Sequence, residues 1–379
     1  MDLQEVRNKI DVIDDQIAGL YAERMKLAVD IAKNKAEAGL PVDNVEREKQ
    51  IISRVTADMP DNMKLYCKQV FETMFDTSKA YQYGVVDGAS PVKDEIREAI
   101  KDGLKPFPVQ ASVACQGVSG AYSCIAAEKI FPIASISCFK NWDGVFSAVE
   151  KGFCEFGVLP VENSTVGSVI GVYDLMRKHK FFIVKSIKLR IKHYLLGAQG
   201  AKLENIKEIV SHDQAISQCS EFLASLGDIK ITRCDNTAVA AKMVAESGRT
   251  DIACISSREC AEIYGLQSLK SDISDSNNNY TRFIAISKKL RVYDGANRIS
   301  ITLNLAHETG SLNKLLNKFS ALGLNLTKLA SRPMPNSPFE FSFYFDFEAD
   351  VRSAAVQNLL ASIALKAENF DFLGAYEEM

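Results

Sequence analysis

Residues 2–38 contain no proline and a single glycine, Gly19, so this stretch is predicted to form one uninterrupted helix. Its apolar side chains recur at spacings of three and four residues, which is typical of the contact seam between long paired helices. The seam residues are Leu3, Val6, Ile10, Ile13, Ile17, Leu20, Leu27 and Ile31. At 1.5 Å per residue the helix would be about 55 Å long, which is more than one small domain needs. We therefore expect a dimer that pairs these helices.

The rest of the chain predicts three further regions. Helical patterns near 43–57 and 61–83 complete an all-α region over residues 1–83. Residues 84–110, rich in glycine and proline, are expected to be a linker with a short helix near 93–102. Residues 111–285 alternate strand-like and helix-like segments, which predicts an α/β domain with a largely parallel sheet. Residues 297–379 follow a β-α-β-β-α-β order, which suits an α+β domain with an antiparallel sheet.

Composition excludes several classes of protein. The 379 residues carry 45 basic and 48 acidic side chains, a net charge of −3, so we expect neither a nucleic-acid nor a membrane-surface partner. No apolar run reaches the roughly 18 residues of a membrane span, and the charged N-terminus does not resemble a signal peptide. Nine cysteines without a Cys-x-x-Cys pair and four scattered histidines predict reduced thiols, a cytoplasmic location and no metal site.

Arg24 is the most informative residue of the first helix, because it occupies a position in the apolar seam between Leu20 and Leu27. A guanidinium buried there costs several kcal/mol unless it is paired. The simplest interpretation is an ion pair with a carboxylate such as Glu48. However, Lys35 continues the same face and Arg7 lies near it, so a binding site for a small anion is the alternative.

The segments VRNKID, LYAERMKLA, AKNKAEAGLPV and VEREK resemble the all-helical chorismate mutases, in which two intertwined chains share each site. The resemblance implies that Arg24 and the partner subunit's Arg7 bind the substrate carboxylates. It also implies that Lys35 and Gln82 contact the ether oxygen. The other implied chorismate-binding residues are Asn44 (where the family has Asp), Arg47, Glu48 and Ser78. The rearrangement is concerted and needs no general base; fixed cations and an amide donor suffice.

Three polar loops follow strand-like segments of the α/β region, at Cys115–Gly117, Glu162–Thr165 and Ser211–Gln214. Ligands of open α/β sheets bind at such loops. Taken singly, each loop has a plainer explanation: Ser164 or Thr165 could cap a helix, and Thr281-Arg282-Phe283 could belong to an edge strand.

Together, the segments ACQGVSGAYS, VLPVENSTVGSV, SHDQAISQC and NNNYTRF resemble the prephenate dehydratases in order and spacing. The resemblance implies a two-lobed, periplasmic-binding-protein-like domain that binds prephenate in its cleft. Thr281 would hydrogen-bond the departing hydroxyl, Arg282 would anchor a carboxylate, and Asn163 and Gln214 would fix the substrate. The complete implied prephenate-binding set is Asn163, Ser164, Thr165, Gln214, Thr281, Arg282 and Phe283.

The segments HETGSLNKLL and LTKLASRP resemble the ACT regulatory domain, a ferredoxin-like βαββαβ fold. An allosteric L-phenylalanine site is implied at Gly310, Ser311, Leu312, Ser331 and Arg332. Ala330 stands where the family has Glu, which leaves feedback sensitivity open and keeps a purely dimer-forming role as the alternative.

The three resemblances cover nearly the whole chain and indicate the bifunctional chorismate mutase–prephenate dehydratases of phenylalanine biosynthesis. They imply chorismate, prephenate and L-phenylalanine as ligands, no cofactor or metal, and a homodimer or higher homo-oligomer. Two alternatives stay open. One is a dehydratase whose helical region only dimerises, and the other is a non-enzymatic aromatic amino-acid sensor.

Overall fold

The structure is a computed structural model that describes residues 2–38, 40, 42, 44–85, 90–333 and 341–379, with backbone only at 83–85. Part of the predicted linker, residues 86–89, lies outside the described residues. The chain divides into two compact units. The first contains residues 1–101 and 299–372, and the second contains residues 102–298 and 373–379. The predicted helical and C-terminal regions therefore belong to the same unit.

The N-terminal part of the first unit is helical, as predicted. Helix α1 spans Leu3–Glu37, α2 spans Val45–Thr56, and α3 spans Asp61–Val85. Asn44 begins α2 as its N-cap, because its Oδ1 accepts a hydrogen bond from the Arg47 N–H. Helix α4, Pro91–Ile100, confirms the short helix expected in the linker and begins two residues earlier than predicted.

The second unit contains two sheets, which form two lobes. The elements of the first lobe, in chain order, are β1 Gln110–Gln116, α5 Tyr122–Ile130, β2 Ile133–Phe139, α6 Trp142–Glu150, β3 Phe156–Asn163, β4 Gly167–Ser168, α7 Ile170–His179 and β5 Phe182–Arg190. The elements of the second lobe are β6 Tyr194–Gly197, a 3₁₀ turn Leu203–Asn205, β7 Glu208–Ser211, α8 Asp213–Ser217, α9 Ser220–Ser225, β8 Lys230–Arg233, α10 Thr237–Ser247, β9 Ile252–Ser256, α11 Arg258–Tyr264 and β10 Gln267–Lys270. Strand β11, Tyr280–Ser287, then returns to the first lobe.

Both sheets are mixed, which corrects the expectation of a largely parallel sheet. The first lobe has the order β5-β11-β3-β1-β2, and the second has β10-β6-β9-β7-β8. Strands β1, β2 and β3 pair in parallel, but β11 runs antiparallel to both of its neighbours. The chain returns from the second lobe through β11, which enters the first sheet between β3 and β5. It is therefore a central strand and not the edge strand considered above.

The C-terminal part of the first unit has the predicted β-α-β-β-α-β order. Its elements are β12 Arg298–Asn304, α12 Ser311–Ala321, β13 Asn325–Pro333, β14 Phe341–Glu348, α13 Ala354–Ala364 and β15 Glu368–Glu378. The strands lie in the order β13-β14-β12-β15. Helix α3 packs against α12 and α13, and Lys93 on α4 donates to Asn358 on α13 at 2.7 Å. These contacts join the N-terminal helices to the C-terminal module.

Within the part of the chain that the structure describes, no helix combines the length and apolar character that crossing a bilayer would need.

Candidate active sites

Arg24 lies in α1 with a half-buried side chain whose Nη1 atom is buried and, among the described residues, has no hydrogen-bond partner. Its guanidinium carbon is 5.6 Å from the ring centroid of Phe75 on α3, which is within cation–π range. Among the described residues, Arg24 does not form the ion pair with Glu48 that would be its simplest explanation. A buried donor without an acceptor is costly, so this geometry suits an anionic ligand.

Glu48 is instead paired with Lys79, a residue that sequence reasoning missed. Lys79 Nζ lies 3.1 Å from Glu48 Oε1 and 3.2 Å from Asp76 Oδ1. Burial lowers the pKa of Lys79, but the two carboxylates raise it by more, so its pKa lies above the usual value. The spacing of Asp76 and Lys79 on α3 was an available signal, since residues three apart meet on a helix.

Ser78 and Gln82 lie one turn apart on α3, and both are buried. Gln82 Nε2 is 3.1 Å from Ser78 Oγ, while the other end of the amide, Oε1, is buried without a partner within the described chain. The two ends of a glutamine amide are assigned from their hydrogen bonds. One end is fixed by Ser78 in either assignment, which leaves the other end for a ligand.

The remaining residues predicted for this site are placed around the α1–α2 connection. Lys35 Nζ donates to the carbonyl of Val42 at 2.7 Å. Arg47 is exposed, and its Nη1 is 3.4 Å from Gln50 Oε1. Asn44 uses its side chain as the cap of α2, a task for which Asn and Asp serve equally well. Arg7 is exposed on α1. The structure thus brings Ser78 and Gln82 together but does not bring Lys35 or Arg47 to them.

A second cluster of polar side chains lies where β3 and β11 pair, with Thr281 opposite Asn163. Asn163 Nδ2 donates to Thr281 Oγ1 at 2.9 Å and to Asn279 Oδ1 at 2.8 Å. Asn163 Oδ1 accepts from the Thr165 N–H at 3.0 Å, the Thr165 hydroxyl at 2.5 Å and the Val166 N–H at 3.1 Å. The Asn163 amide therefore orients Thr281 and folds the following turn.

Gln218 closes this cluster into a ring of hydrogen bonds. Its Nε2 donates to Thr165 Oγ1 at 3.2 Å, and its Oε1 accepts from Asn279 Nδ2 at 2.9 Å. Together, Asn163, Asn279, Gln218 and Thr165 form the amide ring. The predicted Gln214 supplies only backbone groups to the described hydrogen bonds, including its N–H to His212 Nδ1. Gln218 and Gln214 are both part of SHDQAISQC, and Gln218, the C-cap of α8, is the one whose side chain bonds to the ring.

His193 adjoins the amide ring and was also missed. Its Nε2 lies 2.9 Å from Gln218 Oε1, and its Nδ1 is buried with no partner in the described part of the chain. Since an amide oxygen can only accept, Nε2 carries the proton. Burial lowers the pKa of His193 below its usual value, and the Gln218 hydrogen bond offsets this only in part. The imidazole is accordingly neutral at neutral pH.

The turn after β3 is not a helix start, which settles the interpretation of Glu162–Thr165. Ser164 Oγ donates to the Asn278 carbonyl at 2.8 Å and accepts from the Tyr280 N–H at 2.9 Å. The next strand, β4, begins at Gly167, and α7 has Val169 as its N-cap without a side-chain hydrogen bond. Ser164 and Thr165 therefore join strands and do not cap a helix.

Arg282 and Phe283 are not brought to the amide ring. Successive side chains of a strand face opposite sides, so Arg282 faces away from its neighbour Thr281. Its Nη2 donates to Tyr376 Oη at 2.5 Å, and its Nε lies 2.9 Å from Glu378 Oε2. Phe283 follows a register shift against β3 and is buried in the apolar core of the unit. Alternation within TRF was a signal that could have separated Arg282 from Thr281.

The residues predicted to bind phenylalanine lie in two segments of the C-terminal module. Gly310, with φ of +84°, is the N-cap of α12, and Ser311 and Leu312 are its first two residues. Ser331 and Arg332 lie on β13, whose side chains alternate between exposed and half-buried. Among the described residues, no three His, Cys, Asp or Glu side chains are grouped so that they could hold a metal ion.

Comparison with protein families matches the two regions of the chain in which these clusters lie. Residues 113–291 match the family model described as prephenate dehydratase, and residues 6–83 match the model described as chorismate mutase type II. The first match contains the amide ring and Thr281, and the second contains Arg24, Ser78 and Gln82.

Individual relatives agree with the family models. Arogenate dehydratase/prephenate dehydratase 2 of Arabidopsis thaliana is 36% identical over 295 residues, which are 75% of this chain and 76% of that protein. A bifunctional chorismate mutase/prephenate dehydratase of Buchnera aphidicola is 30% identical over 383 residues, covering 98% and 95%. The crystal structure of a prephenate dehydratase from Arthrobacter aurescens, in complex with L-Phe, shares the fold with a TM-score of 0.64. It is 24% identical over 70% of this chain and 90% of that chain.

Proposed function

The chain belongs to the bifunctional chorismate mutase–prephenate dehydratase family, and from that premise we infer what each site does. The enzyme rearranges chorismate to prephenate and converts prephenate to phenylpyruvate, two consecutive steps of phenylalanine biosynthesis. The residues that perform each step are assigned below from their geometry.

The chorismate site is assigned to α1 and α3. Arg24 presents a buried Nη1 without an acceptor, and Gln82 presents one amide end without a partner. Chorismate carries two carboxylates and an ether oxygen, and the ether C–O bond breaks as the new C–C bond forms. Arg24 binds a carboxylate. With the Gln82 amide assigned so that Oε1 accepts from Ser78 Oγ, its Nε2 donates to the ether oxygen as negative charge develops there. Lys35 leaves the Val42 carbonyl and becomes the second donor, with Ser78 holding the Gln82 amide.

The dehydratase site is assigned to Thr281 and the amide ring that orients it. A hydroxyl has one proton and two acceptor sites, and the Asn163 amide occupies one acceptor site of Thr281. The Thr281 proton is thus left to donate to the hydroxyl of prephenate. The ring carboxylate departs as CO₂, its bonding electrons aromatise the ring, and the hydroxyl takes up a proton and leaves as water. The observation that carries this assignment is the hydrogen bond that Thr281 Oγ1 accepts from Asn163 Nδ2.

Prephenate is favoured over arogenate as the substrate of this site. Arogenate carries an ammonium group where prephenate has a keto oxygen, and recognition of an ammonium favours a carboxylate partner. The side chains of the amide ring are all neutral, as is His193. An assay that offers both compounds tests this, and faster turnover of arogenate would contradict it.

The decisive experiment supplies chorismate alone to the purified protein and follows prephenate and phenylpyruvate over time. Both are expected to form well above the uncatalysed rate. Loss of chorismate at the background rate would support a dehydratase whose helices only dimerise. Binding of prephenate without turnover would support a sensor.

Two substitutions should separate the activities. Thr281→Ala is expected to lower phenylpyruvate formation by about 100-fold or more while prephenate still forms from chorismate, because the proton donor is lost. Thr281→Ser keeps the hydroxyl and serves as the control. Conversely, Arg24→Ala should lower chorismate turnover by about 100-fold and leave prephenate turnover unchanged. Retained dehydratase activity in Thr281→Ala would remove Thr281 from the mechanism.

We further propose that a second copy of the chain completes the chorismate site and that L-phenylalanine regulates the enzyme. The seam of α1 supports the first proposal, since its apolar side chains are exposed in one chain and the partner subunit's Arg7 would reach Arg24. The βαββαβ order of the C-terminal module supports an ACT domain with Gly310–Leu312 and Ser331–Arg332 at the effector site. Calorimetry with millimolar L-phenylalanine should detect binding. Absence of heat would favour a module that serves only as a dimer contact.

A further inference from the structure

The second unit includes the last seven residues of the chain, 373–379, which we call the C-terminal tail. The tail lies against β5. Glu377 and Glu378 pair in parallel with Lys185 and Ser186, the Met379 N–H donates to the Ser186 carbonyl, and the Lys188 N–H donates to the Met379 carbonyl. The tail is therefore a strand of the dehydratase sheet, although it is distant in sequence from residues 111–285.

Gly374 shows how closely the tail approaches β5. Its φ is +135°, and a Cβ atom at this position would lie 2.3 Å from the carbonyl oxygen of Ile183. No side chain fits within such a distance, so only glycine permits this packing. Tyr376, two residues on, is fully buried. The tail is thus held by backbone and side-chain contacts along its length.

Glu378 is the centre of a cluster of charges in which the Lys188 side chain is exposed and those of the two arginines are largely buried. Its side chain is 9% exposed, and its carboxylate lies 2.8 Å from Lys188 Nζ, 2.9 Å from Arg282 Nε and 3.1 Å from Arg298 Nη2. Burial raises the pKa of Glu378, but the Lys188 hydrogen bond and the two arginine charges together lower it by more. The pKa therefore lies below its usual value, and the carboxylate is ionised. Removal of this charge would break the ion pair between Glu378 and the Arg282 guanidinium, which is 7% exposed.

Arg282 is adjacent to Thr281 on β11, and the two side chains leave the strand on opposite faces. The orientation of Thr281 therefore depends on where the backbone of β11 is held. The amide ring acts on it from one face, and Arg282 anchors the strand from the other. We propose that Arg282 and Glu378 are positioning residues of the dehydratase, so that the end of the chain holds Thr281 in register with Asn163.

This inference rests on the proposed role of Thr281 and competes with the role that family resemblance gives to Arg282, that of binding a substrate carboxylate. The two roles differ in what they predict for the kinetics. A substrate ligand acts on KM, whereas a positioning residue acts mainly on kcat. The two roles of Arg282 also differ in whether Glu378 is needed: a positioning arginine requires this ion-pair partner, whereas a substrate-binding arginine would not.

The experiment measures prephenate turnover of the full-length chain carrying Glu378→Gln. We expect kcat to fall about 10- to 100-fold with KM changed less than about threefold, as for a misplaced catalytic group. Arg282→Lys should show the same pattern. Glu378→Asp keeps the charge at a shorter reach and should recover part of the lost kcat. Chorismate turnover should not change in any of these variants.

Glu377→Gln is the matched control, since it makes the same change one residue earlier in a glutamate whose ion pair, at 2.6 Å, is with Lys185. It should retain the kcat of the wild type. Wild-type kcat in Glu378→Gln, or an Arg282→Lys enzyme with raised KM and intact kcat, would overturn the proposal. If Glu378→Gln unfolds, judged by circular dichroism, the Glu378→Asp variant decides by the same kcat criterion. A wild-type enzyme without prephenate turnover would instead refute the proposed function.

Discussion

Asn163 uses every polar position of its side chain inside the protein. Both amide hydrogens and the carbonyl oxygen have protein partners, so this residue has no group left over for a substrate. The role expected for it, a direct neutral contact with prephenate, is therefore less consistent with the geometry than a role in orienting Thr281. A side chain whose hydrogen bonds are all satisfied can set the direction of a neighbouring hydroxyl without binding anything itself.

Gln218 provides the clearest test at the scale of single residues. Gln218→Ala would break the amide ring at two hydrogen bonds, to Thr165 and Asn279. We expect kcat for prephenate to fall about 10- to 100-fold through misplacement of Thr281. Gln214→Ala is the matched comparison on the same segment and should have a smaller effect. A larger loss in Gln214→Ala, measured in the same phenylpyruvate assay, would return the role to the residue that resemblance suggested.

At the scale of elements, Glu208 joins three parts of the second lobe. It lies at the start of β7 and is bonded to Lys230 and Thr232 on β8 and to Arg249 after α10. The Lys230 hydrogen bond, followed by those of Thr232 and Arg249, lowers the pKa of Glu208 to about 2. Its folded pKa is thus below its unfolded value, so its contribution to stability is present above the unfolded pKa and is lost as the pH falls toward 2.

Glu208→Gln should therefore destabilise the protein in a pH-dependent way. At pH 7 we expect a loss of about 1.5 kcal/mol in the free energy of unfolding, a value reduced because Lys230 and Arg249 are largely exposed. The difference from the wild type should shrink as the pH is lowered from about 4.3 toward 2. Urea unfolding across this range is the measurement, and Glu204→Gln, an exposed carboxylate of the same lobe, is the control. A difference that does not change with pH would contradict the assignment.

Helices were predicted more accurately than strand partners, for a physical reason. The period of α1, α2 and α3 is local, and their bounds match the prediction to within two residues. Strand direction depends on pairing between distant segments, so the antiparallel insertion of β11 between β3 and β5 had no local signal. The break between α8 and α9 had no local signal either, so the sequence did not show which way Gln218 faces. By contrast, strand alternation alone could have assigned the Thr281 and Arg282 side chains to opposite faces of β11.

The two proposed sites lie in separate compact units, and the chain passes from one unit to the other more than once. The chorismate site lies in the unit that also contains the C-terminal module, and the dehydratase unit receives the C-terminal tail. Strand β15 has its first residues in one unit and its last residues in the other. The predicted domains are therefore consecutive in sequence, but the compact units are not, because a terminal strand pairs wherever an open sheet edge accepts it.

The exposed seam of α1 is the surface on which the proposed dimer rests. Leu3, Leu20 and Leu27 are each more than half exposed in a single chain, and so are Ile13 and Ile17 between them. Such a stripe is stable in water only when another apolar surface covers it. In the proposed dimer, a second copy of the same helix would provide that surface, and the partner subunit's Arg7 would lie at the chorismate site.

Leu20→Lys should therefore dissociate the enzyme and separate its activities. A charge in the seam opposes pairing of the helices, so we expect monomers in sedimentation at micromolar concentration. Chorismate turnover should fall by about 100-fold, because in the proposed dimer one carboxylate ligand would come from the other chain, whereas prephenate turnover should persist. Ala22→Lys adds the same charge to an exposed position outside the seam and should change neither quantity. A Leu20→Lys monomer with full chorismate turnover would show that each site is complete within one chain.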